Sequence, residues 1–102
     1  MATVRVEIWA WLPIPKLKLE EVKKQIIFQE QIFPGISALD LFNKMAAQHK
    51  YFRKFIFDRE SQKFNFHVSV VINEIIAKVS ELSKTYLKDG DRIIIIPLAA
   101  GG

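Results

Sequence analysis

Residues 89–102, with the sequence DGDRIIIIPLAAGG, constrain the fold more than any other stretch of this chain. Asp89-Gly90-Asp91 predicts a tight turn, because glycine readily adopts the positive φ that many turns require. The isoleucine run at 93–96 favours a strand, since β-branched residues pack well in sheets. An apolar run without alternation is typical of a strand covered on both faces. The sequence therefore predicts a buried final strand that ends near Pro97, where a missing ladder donor is tolerated best.

Small residues follow that strand, and they have two interpretations. One is an ordinary frayed terminus, since chain ends are usually disordered. The other is that the carboxylate of Gly102 is the functional group. Glycines have no side chain, so Gly101 and Gly102 can pass through a narrow channel and bring that carboxylate close to an enzyme's reactive atoms. The tail alone leaves both interpretations open.

Composition indicates one globular domain. The chain has 102 residues, of which 50% are hydrophobic and 25% charged, and this fits a single core. No apolar run approaches the roughly 20 residues that span a bilayer, and the N-terminus lacks the apolar stretch of a signal peptide. The absence of cysteine excludes disulfides and cysteine-based metal sites or nucleophiles. We expect a cytoplasmic protein with no membrane contact, whose net charge of +4 favours acidic partners.

The first half of the chain predicts two strands and a helix. Residues 3–12 alternate as a strand does, which places Val4, Val6 and Ile8 on one face and Trp9 and Trp11 on the other. Residues 25–33 predict a second strand, paired with the first as a hairpin. Ser37 is a suitable N-cap for a helix that ends near His49. Its apolar stripe at helical spacing predicts packing against a sheet, through Ala38, Leu41, Phe42, Met45 and Ala46.

The second half predicts more strands. Residues 64–73 alternate, Asn73-Glu74 predicts a turn, and residues 75–77 a short return strand. A polar connection over residues 80–88 leads to the final strand. This order predicts an α+β domain, with one main helix on one face of a mixed sheet. His49 and His67 lie on different elements without ligands at suitable spacing, so we expect no metal site.

Aromatic and basic residues alternate over residues 50–59. This pattern is compatible with nucleic-acid binding through base stacking and phosphate contacts. The alternative is a short amphipathic segment whose apolar side packs in the core and whose basic side is solvated. We favour the second interpretation and do not expect a nucleic acid to be the main partner.

The order of elements, with the terminal diglycine, resembles the β-grasp fold of ubiquitin-like proteins. It is more specifically similar to the small sulfur carriers of the MoaD and ThiS type. Their C-terminal signature is a Gly-Asp turn, an apolar strand, often a proline, and Gly-Gly. Here these are Gly90-Asp91, residues 92–96, Pro97 and Gly101-Gly102.

A second match to the longer, MoaD-related members lies in the middle of the chain. A Phe-Asp turn at Phe57-Asp58 precedes a strand that ends in an Asn turn at Asn73 and continues with Ile75. Glu74 departs from the pattern, because many relatives have glycine there, and this leaves the turn type open. The resemblance extends over essentially the whole chain. It implies a β-grasp domain of four to five strands over residues 1–98, with a flexible tail at 99–102.

The resemblance also implies a mechanism. An E1-like activating enzyme uses ATP to convert the Gly102 carboxylate into an acyl-adenylate, and a sulfur donor then displaces AMP to give a thiocarboxylate. The tail residues Ala99, Ala100 and Gly101 would present that group to the partner. On this view the chain binds no cofactor of its own and is a carrier or non-catalytic subunit, rather than an enzyme.

The identity of the sulfur acceptor stays open. The length favours the small subunit of molybdopterin synthase, which acts with a large subunit in molybdenum cofactor biosynthesis; thiamin or tRNA thiolation are variants. The alternative class is a ubiquitin-like modifier that becomes attached to lysines of target proteins. The ubiquitin-related modifiers combine both roles.

Partner binding is expected on the sheet face that the helix does not cover. Trp9 and Trp11 share that face with isoleucines of the last strand, and exposed apolar patches mark partner sites. Tryptophan is also enriched among binding hot spots. We expect Pro97 and Leu98 to extend this surface towards the tail. The competing possibility is that residues 51–57 fold over the same face and cover it.

Overall fold

The computed structural model describes residues 1–9, 25–65 and 67–97, and contains a mixed five-stranded sheet. The sheet consists of β1 (Ala2–Trp9), β2 (Gln25–Ile32), β5 (Val68–Ile72), β6 (Ile75–Ala77) and β7 (Arg92–Pro97). Their order in the sheet is β2-β1-β7-β5-β6, so β7 is the central strand. The neighbours β1 and β7 run parallel, and every other described pair in this sheet is antiparallel. The predicted α+β architecture is confirmed.

One α-helix packs on the sheet, and shorter elements complete its layer. The helix is α1 (Ala38–Gln48). A π-helical turn (Phe52–Ile56) follows it, and a 3-10 turn (Val79–Lys84) precedes the last strand. A small separate hairpin pairs β3 (Phe57–Asp58) with β4 (Lys63–Phe64). The 3-10 turn begins one residue before the connection predicted at residues 80–88 and ends inside it.

Helix α1 begins and ends where its sequence indicates. The Ser37 side chain accepts a hydrogen bond from the backbone N–H of Asp40 at 3.0 Å, which satisfies a donor that the first turn leaves unpaired. His49 is the C-cap, and its backbone N–H donates to the Met45 carbonyl. All five residues of the predicted apolar stripe are buried. They meet the core face of the sheet, on which Val4, Val6 and Ile8 are also buried.

The aromatic segment lies in the helix layer and does not cover the opposite sheet face. Phe52, Ile56 and Phe57 are at most 1% exposed and belong to the same core cluster as Phe42. The Phe42 ring centroid lies 6.2 Å from that of Phe52 and 6.1 Å from that of Phe57. The possibility that residues 51–57 cover the opposite sheet face is therefore wrong, because Phe52, Ile56 and Phe57 are buried in the core beside the helix.

The third predicted strand begins later than expected. Strand β5 starts at Val68, whereas Phe64 belongs to the small hairpin and packs its ring edge-on against Phe42, with centroids 5.4 Å apart. Alternation alone did not predict the break between β4 and β5. Phe64 and Val68 belong to different strands, but both pack against the core, as two residues of one strand would. The predicted return strand at β6 is confirmed.

The hairpin between β5 and β6 has a two-residue loop in which both residues have positive φ. The values are 51° at Asn73 and 71° at Glu74, and Ile72 pairs with Ile75 across the loop. A type I′ turn requires positive φ at both central positions, and glycine is common at the second. Asparagine tolerates this conformation, whereas glutamate is strained in it.

We expect Glu74→Gly to stabilise the protein by about 1 kcal/mol, because glycine adopts this φ without a Cβ clash. Thermal unfolding followed by circular dichroism would show a higher midpoint. Glu74→Ala is the matched control, since it removes the charge and keeps the Cβ. An equal gain from both variants would show that charge, and not backbone strain, is what the substitution relieves.

Candidate functional site

The candidate site has two parts, the end of β7 and the sheet face opposite α1, called the outer face below. Trp9 lies on the outer face, half-buried at the end of β1, and Pro97 is the last residue of β7. Trp11, Leu98 and the tail residues Ala99, Ala100, Gly101 and Gly102 lie outside the described residues. Their roles stay predictions.

The start of β7 is fixed by a hydrogen-bonded turn. Gly90 has a φ of +83°, as the predicted turn requires. The Asp91 carboxylate is 4% exposed and accepts from the Asn73 side chain at 2.7 Å and from the Lys88 backbone N–H at 2.8 Å. Asn73 accepts in turn from the Arg92 backbone N–H at 2.9 Å. The turns at Asn73 and Asp91, both of which belong to the sulfur-carrier resemblance, are therefore joined by hydrogen bonds.

Strand β7 is held on both sides. It pairs with β1 from Arg5 opposite Arg92 to Ile8 opposite Ile95, and with β5 as far as Val68 opposite Pro97. Ile93 and Ile95 are fully buried on the core face. The chain beyond Pro97 therefore starts from a rigid element, which is the arrangement that presents a tail reproducibly.

A row of side chains on the outer face crosses all five strands, and it is apolar except at Glu7 of β1. The register places Glu7 between Ile27 of β2 and Ile94 of β7, and Ile94 pairs with Val71, which pairs with Ile76 of β6. Ile27 is 45% exposed and Ile76 is 73% exposed, whereas Ile94 at the centre is only 8% exposed. The prediction that isoleucines of the last strand are exposed on this face is therefore wrong at Ile94, because neighbouring side chains cover the middle of the strand; the edges of the row are exposed.

A buried carboxylate interrupts this row on β1. Glu7 is 0% exposed. The Arg92 guanidinium donates to both of its oxygens, through Nε to Oε2 and through Nη2 to Oε1 at 3.1 Å. Arg5 approaches Oε2 with its Nε at 3.2 Å, and the Trp9 indole N–H donates to Oε1 at 3.3 Å. The outer face is therefore apolar at both edges, and an ionic cluster joins β1 to the start of β7.

Sequence reasoning missed this ion cluster. Alternation placed Trp9 on the outer face, but it did not indicate that Glu7 would be buried there. The partner of Glu7 lies 85 positions away in sequence, and only the parallel pairing of β1 with β7 brings the two together. One sequence signal could have indicated this pairing: Arg92 is a charged residue at the start of β7, directly before the isoleucine run.

The hydrogen bonds from Arg92 lower the pKa of the Glu7 carboxyl below its ordinary value, against the opposing effect of burial; the Trp9 indole also lowers it. A carboxyl whose pKa is lowered by folding stabilises the protein above its unfolded pKa of about 4.3, and the contribution is lost as the pH falls through the folded value.

We therefore expect Glu7→Gln to lower stability at neutral pH and to make stability less sensitive to acid below about pH 4.3. Urea unfolding at pH 7 and at decreasing pH would measure both effects. Glu60→Gln, in an exposed turn, is the control. An unchanged acid dependence in Glu7→Gln would contradict the assignment.

The described residues offer no metal site and no obvious catalytic constellation. No group of three or more His, Cys, Asp or Glu side chains among them could hold a metal ion.

A cavity of about 590 Å³ lies between α1, the small hairpin and the 3-10 turn. Its lining is mainly apolar and also includes Lys63 and His67. Within the described part of the chain, no helix is long and apolar enough to cross a membrane.

The basic segment does not form a stacking platform in its described part. Phe52 and Phe57 are buried in the core, and Tyr51 and Phe55 are partly buried and lie against each other, with ring centroids 5.2 Å apart. The Arg53 guanidinium donates to the Ala46 carbonyl at the end of α1. This agrees with the amphipathic interpretation of the segment.

Comparison with known proteins identifies relatives of this fold and sequence. The model of the ThiS family matches residues 19–102. No curated protein sequence gives a significant match. The solved structures that resemble this one include SAMP1 from Haloferax volcanii, with a TM-score of 0.69 and 17% identity, aligned over 99% of this chain and 100% of that one.

Two further structures are similar. A protein of Pyrococcus furiosus described as molybdopterin converting factor, subunit 1, has a TM-score of 0.60 and 18% identity, over 97% of this chain and 100% of its own. The small archaeal modifier protein 1 from Methanosarcina acetivorans has a TM-score of 0.58 and 23% identity, over 100% of this chain and 98% of its own. At these identities the likeness is one of fold: a ubiquitin-like β-grasp.

Proposed function

This chain belongs to the ThiS family, and we propose that it is a sulfur carrier whose Gly102 carboxylate is activated and converted to a thiocarboxylate. The observation that carries the proposal is the family match, which extends through the diglycine at residues 101–102. The proposal requires Gly102 to be the C-terminal residue of the active protein. Within this class we favour the small subunit of molybdopterin synthase, with transfer of the sulfur to a molybdopterin precursor bound by the large subunit.

The chemistry proceeds in two displacements. A Gly102 carboxylate oxygen attacks the α-phosphorus of ATP, and pyrophosphate leaves. Hydrosulfide released by a sulfur donor then attacks the acyl carbon, and AMP leaves with the oxygen that joined it to the carbon, which gives the thiocarboxylate. A carboxylate is a poor electrophile and the adenylate is a good one, so ATP provides the driving force. The activating enzyme performs both steps.

The described residues support this role by positioning. Strand β7 is fixed by β1 and β5 as far as Pro97, so a short tail without bulky side chains can enter a partner's active site while the domain stays folded. The outer face, with Trp9 beside the Glu7 ion cluster, offers a separate surface on which the partner can bind. Binding and chemistry are then assigned to different parts of the molecule.

A ubiquitin-like modifier is the alternative, and two of the structural relatives are named as such modifiers. In that role the activated Gly102 carbonyl is attacked by a lysine amine of a target protein, and an isopeptide bond forms as the activating group leaves. The same tail and the same activation serve both roles. The final acceptor of the acyl group distinguishes them.

Intact-protein mass spectrometry tests the proposal. After incubation with the E1-like activating enzyme of the source organism, ATP and a sulfur donor, we expect a mass increase equal to one oxygen replaced by one sulfur. A protein that stays at its original mass would refute the carrier function. Tail-derived adducts on lysines of cellular proteins, without any thiocarboxylate, would favour the modifier.

We expect Trp9→Ala to weaken binding to the activating enzyme by about 2 kcal/mol, as loss of a tryptophan hot spot does, and to leave the fold intact. Isothermal titration calorimetry would measure the affinity, and thermal unfolding the stability. Tyr86→Ala is the matched control, since Tyr86 is an aromatic residue that is 68% exposed outside the outer face. Unchanged binding together with a collapse in stability would identify Trp9 as a core residue.

A further inference from the structure

We propose that Arg5 is a docking cation of the outer face, and that the activating enzyme presents a carboxylate to it from within an apolar surface. This inference rests on the function proposed above and specifies the chemistry of the partner. It follows from how the charges of the ion cluster are distributed.

The Glu7 carboxylate is fully engaged without Arg5. Arg92 contacts both of its oxygens in the two-pronged arrangement that suits a guanidinium and a carboxylate. Trp9 adds a third donor. Arg5 makes only one contact, at 3.2 Å, to an oxygen that Arg92 already binds. Removing Arg5 would therefore leave Glu7 paired.

The two arginines also differ in their remaining electrostatic surroundings. The hydrogen bonds to Glu7 raise the pKa of the Arg92 guanidinium, and the nearby Glu74 carboxylate adds to this effect. Among the described residues, Glu7 is the one carboxylate in ion-pair contact with Arg5. Because Arg5 shares Glu7 with Arg92, and Arg92 also has Glu74 nearby, less of the positive charge of Arg5 than of Arg92 is neutralised within the described residues.

Covering the outer face would remove water from Arg5. Its side chain is 46% exposed, and water satisfies the N–H groups that Glu7 does not reach. Burial of such donors without new acceptors is unfavourable, and a buried charge without a partner is more so. A partner surface that covers Arg5 together with Trp9 must therefore supply an acceptor at Arg5.

A carboxylate is the acceptor that matches this position. It accepts two parallel hydrogen bonds from a guanidinium and neutralises its charge. Ile27 and Trp9 lie beside the cluster and are at least partly exposed, so they require an apolar rim around that acid. Such a pair fixes the register of docking, which an apolar patch alone does not.

The test compares Arg5→Met, Arg5→Glu and Arg59→Glu for binding to the activating enzyme of the source organism by calorimetry at several NaCl concentrations. Arg5→Met keeps an apolar stem and removes the charge. We expect it to bind about thirtyfold more weakly or worse, with reduced salt dependence, and Arg5→Glu to bind more weakly still. Arg59→Glu has the same change of charge in an exposed turn off the outer face and should bind like the unsubstituted protein.

The outcomes separate this inference from the proposed function. If both Arg5 variants bind like the unsubstituted protein while thiocarboxylate forms, the docking cation is refuted and the carrier function stands. If the unsubstituted protein neither binds the enzyme nor gains sulfur, both proposals fail. Thermal unfolding of each variant is measured first. If Arg5→Met does not fold, Arg5→Lys takes its place, because lysine keeps the charge and lacks the planar guanidinium. We expect Arg5→Lys to retain part of the affinity, and full affinity would contradict the paired hydrogen bonds proposed for Arg5.

Discussion

A protein with one alanine added after Gly102 is expected to fold normally and to form no detectable thiocarboxylate. One extra residue moves the carboxylate by about 3.5 Å along an extended chain, and a misplacement of about 1 Å can reduce a rate a hundredfold. Domain stability should not change, since the addition follows the tail and not the sheet. Intact-protein mass spectrometry under the activation conditions measures the product.

Gly102→Ala tests the same geometry without lengthening the chain. It keeps the carboxylate and adds a methyl group where the partner's channel is expected to be narrowest. We expect activation to be lost here as well. A single alanine added before Met1, at the other end of the chain, is the matched control and should react fully. Thiolation of the C-terminally extended protein at the normal rate would contradict the carrier hypothesis.

Phe42→Ala is expected to produce the largest loss of stability, about 3–5 kcal/mol. The Phe42 side chain is 0% exposed and its ring lies against those of Phe52, Phe57 and Phe64. Its removal leaves a cavity between α1, the π-helical turn and the small hairpin. Urea unfolding followed by circular dichroism would measure the change in the free energy of unfolding.

The control for that variant is Phe33→Ala, because Phe33 is 69% exposed directly after β2. We expect this change to alter stability by less than about 0.5 kcal/mol. A loss below about 1 kcal/mol in Phe42→Ala would mean that the aromatic residues do not hold the segment at 52–57 beside the helix. The account of why the outer face is open would then be wrong.

The elements with strong local signals were predictable from the sequence. Ser37 and the apolar stripe of α1 defined the helix, because capping and 3.6-residue periodicity depend on neighbours in sequence. The turn at Gly90 and the isoleucine run defined β7 in the same way. The resemblance at residues 57–58, 73–75 and 89–102 supplied the topology that these local signals do not contain.

Long-range features were not predictable in this way. The pairing of Phe57 with Phe64 in a separate hairpin delays the start of the expected strand to Val68, because Phe64 fits that hairpin as well as it fits the alternation of the strand. The burial of Glu7 depends on Arg92, which only the folded sheet brings near. The positive φ of Glu74 is a compromise in which the hairpin geometry overrides the preference of one residue.

The position of β7 between β1 and β5 has a consequence for folding during synthesis. Without this strand the β2-β1 pair and the β5-β6 pair have no ladder that joins them. The joining contacts connect residues far apart in sequence, and such contacts slow folding because a long loop must close first. A nascent chain that has reached only Gly90 thus holds two unconnected strand pairs, and the sheet closes only when β7 leaves the ribosome. The strand that leads to the tail is then also the one that completes the domain, so an incompletely synthesised or incompletely folded chain cannot present its end on a finished docking face.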